Sequence, residues 1–373
     1  MENQTPTPVA PQESKKRKKS KSKLVFRIIR RFLLVFFTLI LLVFAGLVMV
    51  CNLIFNGPST TARDRLTMSM RESSGMKWCP ALFIGEDTVA EIEKITAAEL
   101  PDELSDNSQI KFDLDNVLSG TDEWENHPDG IRIEKVSGDT YNAHVMIIRD
   151  PSRVYLATSS DNFSTSIPGS RINKQIETEG AVAAINAGAF YDDGTGNPIV
   201  GSVPEGLVIS EGVVRWKTGK APQEGFVGFN NDNVMVVAKT MTADKAMELG
   251  IRDGCCFGPV LIMNNTVNEE AYNANSGLNP RTAIGQRADG AVIFLCIDGR
   301  QASSMGGTYA DIIDIMVEYG AVNACNLDGG SSTVMLYRDH NTGKVSMINS
   351  YSLLQEEPRR MPTFIMVRPE SEG

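Results

Sequence analysis

Two aspartates, each followed by glycine, are the residues best placed to do acid–base chemistry. Asp298 ends the apolar run Ala291–Asp298, and Asp328 directly follows the shorter run Ala321–Leu327. Both patterns are typical of a buried strand that ends in an acid. Two carboxylates in one cleft are the usual equipment for glycoside chemistry, because one ionises while its partner can stay protonated.

The segment between the two aspartates predicts how they are positioned. Thr308, with Asp311 three residues later, resembles a capping box, and Gly320 ends the amphipathic helix that follows. A strand, a helix and a second strand in this order form a crossover unit, so we expect the two strands to be parallel and adjacent. Adjacent strands lie about 4.8 Å apart, and ligands bind beyond the carboxyl ends of such strands. Asp298 and Asp328 are therefore expected close together at one edge of a sheet.

Arginine and glycine residues in the same stretch favour an anionic ligand. Gly299 and Gly329-Gly330 remove side chains where a ligand could approach, and their amides could face an anion. Arg281 and Arg300 add two charged forks that suit phosphate. Taken singly, an Asp-Gly pair is most often a turn, and an arginine is most often a weak surface ion pair. The combination of two acids, two arginines and a glycine-rich turn favours a catalytic site.

A single α+β domain is predicted around this segment. From residue 130 the sequence consists of short β-rich runs separated by Gly, Asp, Asn and Pro, with few helical patterns. The expected strands include Ile131–Val136, His144–Ile148, Val154–Thr158, Val182–Asn186, Gly206–Ile209, Val234–Ala238, Val260–Met263 and Ala291–Asp298, and the expected helices are Lys174–Gly180, Ala243–Leu249 and Thr308–Tyr319. We expect one mixed-sheet domain with few helices over residues 130–369. A stalk, the amphipathic helix Glu86–Leu100 and a linker precede it over residues 56–129.

An uncharged apolar run, Phe32–Phe55, is long enough to cross a membrane. As a helix it would span roughly 36 Å, which exceeds the thickness of a hydrocarbon core of about 30 Å. Ten of the 36 basic residues and two of the 46 acidic residues lie in residues 1–31. This predicts a disordered cytoplasmic tail, an uncleaved transmembrane signal anchor over residues 32–55, and a catalytic domain outside the cell. A cleaved signal peptide would have a shorter apolar core and small residues at the cut.

The composition excludes several classes of function. Outside residues 1–31 the chain has 26 basic and 44 acidic residues, and a body this acidic would be repelled by nucleic acid. Three histidines in the whole chain leave little material for a zinc site or a Ser-His-Asp triad. Six cysteines do not predict a disulfide scaffold in a domain of this size, although the vicinal pair Cys255-Cys256 could be oxidised outside the cell.

Four motifs, in this order, resemble those of phosphodiester glycosidases. They read Asn186–Phe190 (NAGAF), Arg281–Gly285 (RTAIG), Ile297–Arg300 (IDGR) and Asn326–Ser332 (NLDGGSS). Residues 204–206 (PEG) also fit the family's Pro-x-Gly step before a strand, and the resemblance covers about residues 130–368. The first motif commonly reads NGGFF in the family, so the sugar-facing wall is expected to differ at Ala187 and Ala189.

The resemblance implies a hydrolase that cleaves the glycosidic C–O bond of a sugar-1-phosphodiester, on a cell-surface glycopolymer outside the cytoplasm. It assigns catalytic roles to Asp298, Asp328, Arg281 and Arg300, and substrate-binding roles to Asn186, Gly188, Glu205, Asn326, Gly329, Gly330 and Ser331. In this scheme the arginines hold the phosphate, one aspartate acts as base or nucleophile, and the two asparagines bind sugar hydroxyls. The scheme requires no cofactor.

Two other functions stay open on the residues alone. One is a non-catalytic module that binds an anionic glycopolymer, and the other is a metal-dependent phosphodiesterase that cuts the P–O bond. The shortage of histidine counts against the second function. Mg²⁺ or Ca²⁺ would suit the oxygen-rich loop Asp192–Asn197. An exposed turn is the simpler interpretation of that loop, because its spacing fits no known cation loop.

Overall fold

The structure is a computed structural model, and it describes residues 14–73, 75–96, 104–111, 124–192, 201–219, 221, 223–350 and 357–370. The chain divides into two compact units, Met1–Ser59 and Thr60–Gly373. Every residue that the sequence predicts for the functional site belongs to the second unit.

The first unit contains one long helix, α1 (Ser14–Phe55). Its stretch Val25–Phe55 is long and apolar enough to cross a membrane, and most of its large apolar side chains are exposed. A signal sequence passes the same test of length and composition, so the helix is compatible with either. The helix begins at Ser14, inside the tail that was expected to be disordered, because lysine and arginine are good helix formers and precede a strongly helical stretch. Residues 1–13 lie outside the described part of the chain.

The second unit is built mainly from strands. Its helices are α2 (Thr60–Arg71), α3 (Cys79–Ile84), α4 (Glu86–Thr96), α5 (Ile172–Glu179), α6 (Ala243–Glu248), α7 (Glu269–Asn273) and α8 (Tyr309–Glu318). Its strands are β1 (Ile131–Ser137), β2 (Asn142–Ile148), β3 (Val154–Thr158), β4 (Ser170–Arg171), β5 (Ala183–Asn186), β6 (Leu207–Ser210), β7 (Val213–Lys217), β8 (Gln223–Asn230), β9 (Met235–Met241), β10 (Ile251–Cys256), β11 (Val260–Met263), β12 (Thr266–Val267), β13 (Arg281–Arg287), β14 (Val292–Ile297), β15 (Ala321–Leu327), β16 (Met335–Arg338), β17 (Val345–Met347), β18 (Arg360–Met361) and β19 (Thr363–Val367).

One core joins a seven-stranded sheet to two five-stranded sheets. The large sheet has the order β1-β2-β14-β13-β15-β11-β12, and the smaller sheets have the orders β7-β6-β10-β8-β9 and β17-β16-β5-β19-β3. Alternate residues of β14, such as Phe294, pack into this core. The residues between them, such as Leu295, pack on the opposite face with helix α8. Burial on both faces explains why β14 reads as a continuous apolar run.

The predicted α+β class is confirmed, and the strands and helices expected from residue 130 onward are present to within a few residues. Strands β8 and β10 were not predicted, because glycines interrupt their apolar pattern. These glycines make room for an aromatic ring: a Cβ atom on Gly254 would lie 2.6 Å from Cζ of Phe226. A glycine inside a strand commonly marks such a close approach.

The expectation that the two aspartate-bearing strands are adjacent is wrong. Strand β13 lies between β14 and β15 and pairs antiparallel with both. Thr282, for example, lies opposite Cys296 on one side and Leu327 on the other. The outer strands are therefore parallel and end at the same edge, but they are two strand spacings apart, about 10 Å. The crossover rule predicts that the two strands are parallel. It does not predict that they are neighbours, because a strand from earlier in the chain can lie between them.

The segment that the sequence predicted as a stalk forms helix α2 and packs within the second unit. Thr67 and Met70 on this helix are buried, and Ser69 Oγ donates a hydrogen bond to the Leu278 carbonyl at 3.3 Å. The predicted amphipathic helix is present as α4, and its expected last residues, 97–100, lie outside the described part of the chain. The segment from Thr60 to Arg71 thus contributes directly to the fold of the second unit.

Removal of a fully buried side chain from the shared core should strongly destabilise the second unit. We expect Phe294→Ala to lower the free energy of unfolding by about 3–5 kcal/mol, because it leaves a cavity between the sheets. Val213→Ala, at a half-exposed position, should change it by about 0.5 kcal/mol or less. Urea unfolding followed by tryptophan fluorescence measures both variants, and a loss below about 1 kcal/mol for Phe294→Ala would contradict this core assignment.

Candidate active site

Asp328 lies in a tight turn that buried hydrogen bonds hold against the end of β5. It directly follows β15 and precedes the short 3₁₀ turn Gly330–Ser332. Its N–H donates to the Ala187 carbonyl at 3.1 Å, and its own carbonyl accepts a hydrogen bond from Asn186 Nδ2. Asn186 Oδ1 in turn accepts hydrogen bonds from Thr282 Oγ1 at 2.8 Å and from the Val334 N–H at 3.2 Å. The fully buried Asn186 side chain therefore holds the turn in place.

Among the described Asp and Glu residues, Asp328 has the pKa that is raised furthest above its ordinary value. Burial raises its pKa to about 6, and the negative charge of Asp192 adds to the rise. The Ser332 hydroxyl, the Arg359 charge and the Gly329 N–H oppose this shift. Such a carboxyl changes its protonation state near neutral pH, which is what a general acid, base or nucleophile requires.

Arg359 is the cation of this site, and the sequence analysis missed it. Its guanidinium forms an ion pair with Asp192 at 2.7 Å, donates to Ser331 Oγ at 3.2 Å and lies 4.8 Å above the Phe190 ring. No motif or spacing in the sequence links Arg359 to Asp328. The available signal was the pair Arg359-Arg360 directly before a strand, in a body with few basic residues.

Two polar atoms of residues that flank Asp328 in the sequence are buried without a hydrogen-bond partner among the described residues. They are Asn326 Oδ1 and Thr333 Oγ1. Asn326 Nδ2 is engaged, since it donates to the Gly258 carbonyl at 2.8 Å. Buried polar atoms are rarely left unpaired, and each such atom calls for an explanation. Both residues lie within five positions of Asp328, which connects the predicted residue Asn326 to the Asp328 turn.

Asp298 is held by hydrogen bonds from other parts of the protein. It is 4% exposed, and its Oδ1 accepts a hydrogen bond from the Ser350 N–H at 2.8 Å. Its Oδ2 lies 3.4 Å from His144 Nε2, a contact that crosses from β14 to β2. Its carbonyl accepts a hydrogen bond from Ser304 Oγ at 2.7 Å. Asp298 therefore has its own set of partners, different from those of Asp328.

Arg281 and Arg300 form a second cluster, and Arg300 approaches the Asp328 turn at Gly330. Arg281 is buried: it donates to the carbonyls of Gly307 and Gly277, and it pairs with Glu72 at 2.8 Å. Burial lowers the pKa of Arg281, but the charges and hydrogen bonds of Glu72 and Tyr309 together offset this, and the pKa is raised overall. Arg300 Nη2 donates to Asn279 Oδ1 at 3.2 Å, and burial lowers its pKa. Gly330 connects the two clusters, because its N–H donates to the Pro280 carbonyl at 2.8 Å.

The remaining predicted residues lie along the NAGAF segment. Glu205 is exposed, and its N–H donates to the Ala189 carbonyl at 2.9 Å. Gly188 passes close to β10, where a Cβ atom would lie 2.9 Å from Cβ of Cys255. Cys255 and Cys256 are both free and buried, and burial raises the pKa of Cys256 to about 12. These thiols are therefore unreactive packing residues in this state.

Among the described residues, no group of three or more His, Cys, Asp or Glu side chains is arranged to hold a metal ion. Asp192, the first residue of the loop predicted to suit Mg²⁺ or Ca²⁺, is the partner of Arg359. Residues 193–197 of that loop lie outside the described part of the chain.

The model of the phosphodiester glycosidase family matches residues 179–368, which is half of the chain and includes all four motifs. The chain belongs to the phosphodiester glycosidase family. The Asp328 turn and the NAGAF segment both lie in the matched part. Family membership supports a glycosidase-type hydrolase.

Two proteins illustrate the similarity of this chain to others. The SPbeta prophage-derived uncharacterized protein YomE of Bacillus subtilis is 28% identical over 191 residues, which cover 49% of this chain and only 27% of that protein. The catalytic domain of zebrafish N-acetylglucosamine-1-phosphodiester alpha-N-acetylglucosaminidase, described as auto-inhibited by its pro-peptide, has the same fold with 19% identity and a TM-score of 0.51. That comparison covers 66% of this chain and 85% of the zebrafish chain.

The raised pKa of Asp328 predicts a pH-dependent gain of stability in Asp328→Asn. The folded state holds the proton up to about pH 6, whereas the unfolded chain loses it near its usual value of 3.8. The wild-type protein therefore loses stability as the pH rises from about 4 to 6, and the asparagine variant does not. Asp328→Asn should be more stable than wild type by about 1–3 kcal/mol at pH 8 and similar to it at pH 4.

Urea unfolding at pH 4, 6 and 8 measures this difference. Asp232→Asn, at an exposed carboxylate, is the matched control and should differ from wild type by about 0.5 kcal/mol or less at each pH. A stability difference for Asp328→Asn that does not change with pH would show that burial does not raise this pKa.

Proposed function

We propose that this chain hydrolyses the glycosidic C–O bond of a sugar-1-phosphodiester, with Asp328 as the reacting carboxylate and Arg359 as the cation that holds the phosphate. The observation that carries the proposal is a carboxyl with a pKa of about 6 and an arginine that lowers this pKa and donates to Ser331 of the same turn. Membership of the phosphodiester glycosidase family supports the reaction type.

The reaction places modest demands on acid catalysis. Water displaces a phosphate ester from the anomeric carbon, and the departing phosphodiester leaves as an already stable anion. The main requirement is therefore a fixed cation near the phosphate oxygens, where preorganised charge stabilises the transition state. Arg359 presents a planar fork suited to two phosphate oxygens, and Asp192 holds that fork in position. Asp328, ionised above about pH 6, accepts a proton from water or attacks the anomeric carbon.

The substrate we propose is a glycopolymer at the cell surface that carries phosphodiester-linked sugars. Asn326 and Thr333, whose buried Oδ1 and Oγ1 atoms have no partner among the described residues, are the residues we propose to bind its hydroxyl groups. The name of the zebrafish relative specifies N-acetylglucosamine-1-phosphodiester, so esters of that sugar are the first substrates to test.

We also propose that α1 is an uncleaved anchor with the N-terminus in the cytoplasm. The basic residues directly before the apolar stretch support this orientation, because such residues stay on the cytoplasmic side. The second unit would then face the outside of the cell, where a surface glycopolymer is accessible.

Hydrolysis in ¹⁸O-labelled water tests which bond breaks. With a panel of sugar-1-phosphodiesters, we expect the label in the released sugar, measured by mass spectrometry, and no turnover with Asp328→Asn. Label in the phosphate would instead identify a phosphodiesterase. Glycopolymer binding without any turnover would identify a binding module, and either result would contradict the proposal.

The pH dependence of kcat/KM tests the role of Arg359. Activity should fall below about pH 6, where Asp328 becomes protonated. Arg359→Gln should lower kcat by about 10²–10³-fold, because one preorganised donor is lost. It should also move the acid limb to higher pH, since the Arg359 charge lowers the pKa of Asp328. Asp192→Asn should move the limb to lower pH, and an unchanged limb in both variants would exclude Asp328 as the titrating group.

A further inference from the structure

A buried arginine near the site depends on a carboxylate from outside the family-matched region. Arg281 is 4% exposed, and Glu72 Oε2 lies 2.8 Å from its Nη1. Glu72 continues the last turn of α2, because its N–H donates to the Met68 carbonyl at 2.9 Å. A cation removed from water needs a counter-ion and full hydrogen bonding. Glu72 supplies that counter-ion to Arg281.

The surface on which α2 packs fits closely against the backbone of this helix. A Cβ atom on Gly277 would lie 2.3 Å from the Ser69 backbone nitrogen, so only glycine allows the helix to pass this closely. The hydrogen bond from Ser69 Oγ to the Leu278 carbonyl fixes the contact along the helix. The Glu72 pair is therefore part of a close-packed interface within the second unit, and not an isolated surface ion pair.

A chain of contacts leads from Glu72 to the Asp328 turn. Asn279 Nδ2 donates to Glu72 Oε2 at 2.7 Å, and Asn279 Oδ1 accepts a hydrogen bond from Arg300 Nη2 at 3.2 Å. The same Arg300 nitrogen lies 3.3 Å from the position that a Cβ atom would take on Gly330. The Gly330 N–H donates to the carbonyl of Pro280, the residue next to Asn279. The Glu72 carboxylate thus fixes the Asn279 side chain. Asn279, through Arg300, and the neighbouring residue Pro280 then hold the Asp328 turn at Gly330.

The geometry favours a supporting role for this cluster over a direct one. The charges that act on the Asp328 carboxyl are those of Arg359 and Asp192. Arg281 directs its Nε and Nη2 to the carbonyls of Gly307 and Gly277, and its Nη1 to Glu72. Its donors are therefore occupied in joining two loops and α2.

We propose that Glu72 is a positioning residue of the Asp328 site, and that the catalytic unit of this protein therefore begins at helix α2. Glu72 neutralises Arg281 and orients Asn279, so that Arg300 and Pro280 keep the glycine turn at the geometry that Asp328 needs. The kinetic part of this proposal rests on the proposed function, whereas the effect on the turn does not.

The test compares Glu72→Gln and Glu72→Asp with Glu93→Gln in the full-length protein in detergent micelles. Glu93 is the matched control, because it also forms an ion pair with an arginine. Its partner is Arg71 of helix α2 at 2.7 Å, and both side chains of this pair are partly exposed. Glu72→Gln keeps the size of the side chain and removes its charge. We expect its kcat to fall by about 10- to 100-fold with little change in KM, as a small misplacement of catalytic groups does. Glu72→Asp should recover part of that loss, and Glu93→Gln should stay within about twofold of wild type.

Hydrogen–deuterium exchange provides a readout that needs no substrate. In Glu72→Gln we expect faster exchange in the peptide covering residues 326–334, with unchanged exchange in the peptide covering β3. This result supports the proposal even if no sugar phosphodiester is turned over, which would refute only the proposed function. Unchanged exchange at residues 326–334, or a kcat equal to wild type in the folded fraction, would overturn the proposal. An increase of kcat in Glu72→Gln would also overturn it, because Glu72 would then obstruct the site instead of positioning it.

Discussion

The buried side-chain amide of Asn186 is the interaction on which the geometry of the site depends. Its oxygen accepts hydrogen bonds from Thr282 and from the Val334 N–H, and its nitrogen donates to the Asp328 carbonyl. One amide therefore joins the end of β5, the start of β13 and both sides of the turn after β15. An amide offers two donors and two acceptor sites, so most of its capacity is used at this junction. Because Asn186 is completely buried, loss of any of these bonds would leave a polar group unpaired.

The ionisable groups near this junction divide into three separate clusters, each with its own partners. Asp298 is held by His144 and the Ser350 N–H, and Arg281 is held by Glu72. These groups join segments that are distant in the sequence. The third cluster contains Asp328, whose pKa is raised by burial and lowered by Arg359. Groups with perturbed pKa values concentrate at functional sites, which is the physical reason to place the chemistry at Asp328.

The sequence predicted the segments of the site better than it predicted their partners. Periodicity identified β14 and β15, because strands buried on both faces read as apolar runs, and the family match covers all four motifs. The insertion of β13 between these strands was not predictable, since strand order depends on contacts between distant segments. For the same reason, the ion pairs of Arg359 with Asp192 and of Glu72 with Arg281 could not be predicted from the sequence. A charged residue in a sequence gives no indication of which distant counter-ion it meets in the fold.

A crystal structure of the second unit, Thr60–Gly373, carrying Asp328→Asn and an uncleaved sugar-1-phosphodiester would test the central claim most directly. The claim is that the substrate binds at Asp328 and Arg359. The predicted result is a phosphate within about 3 Å of the Arg359 guanidinium, the anomeric carbon facing residue 328, and Glu72 still paired with Arg281. A phosphate bound to Arg281 and Arg300, with Glu72 displaced and the anomeric carbon facing Asp298, would contradict this account.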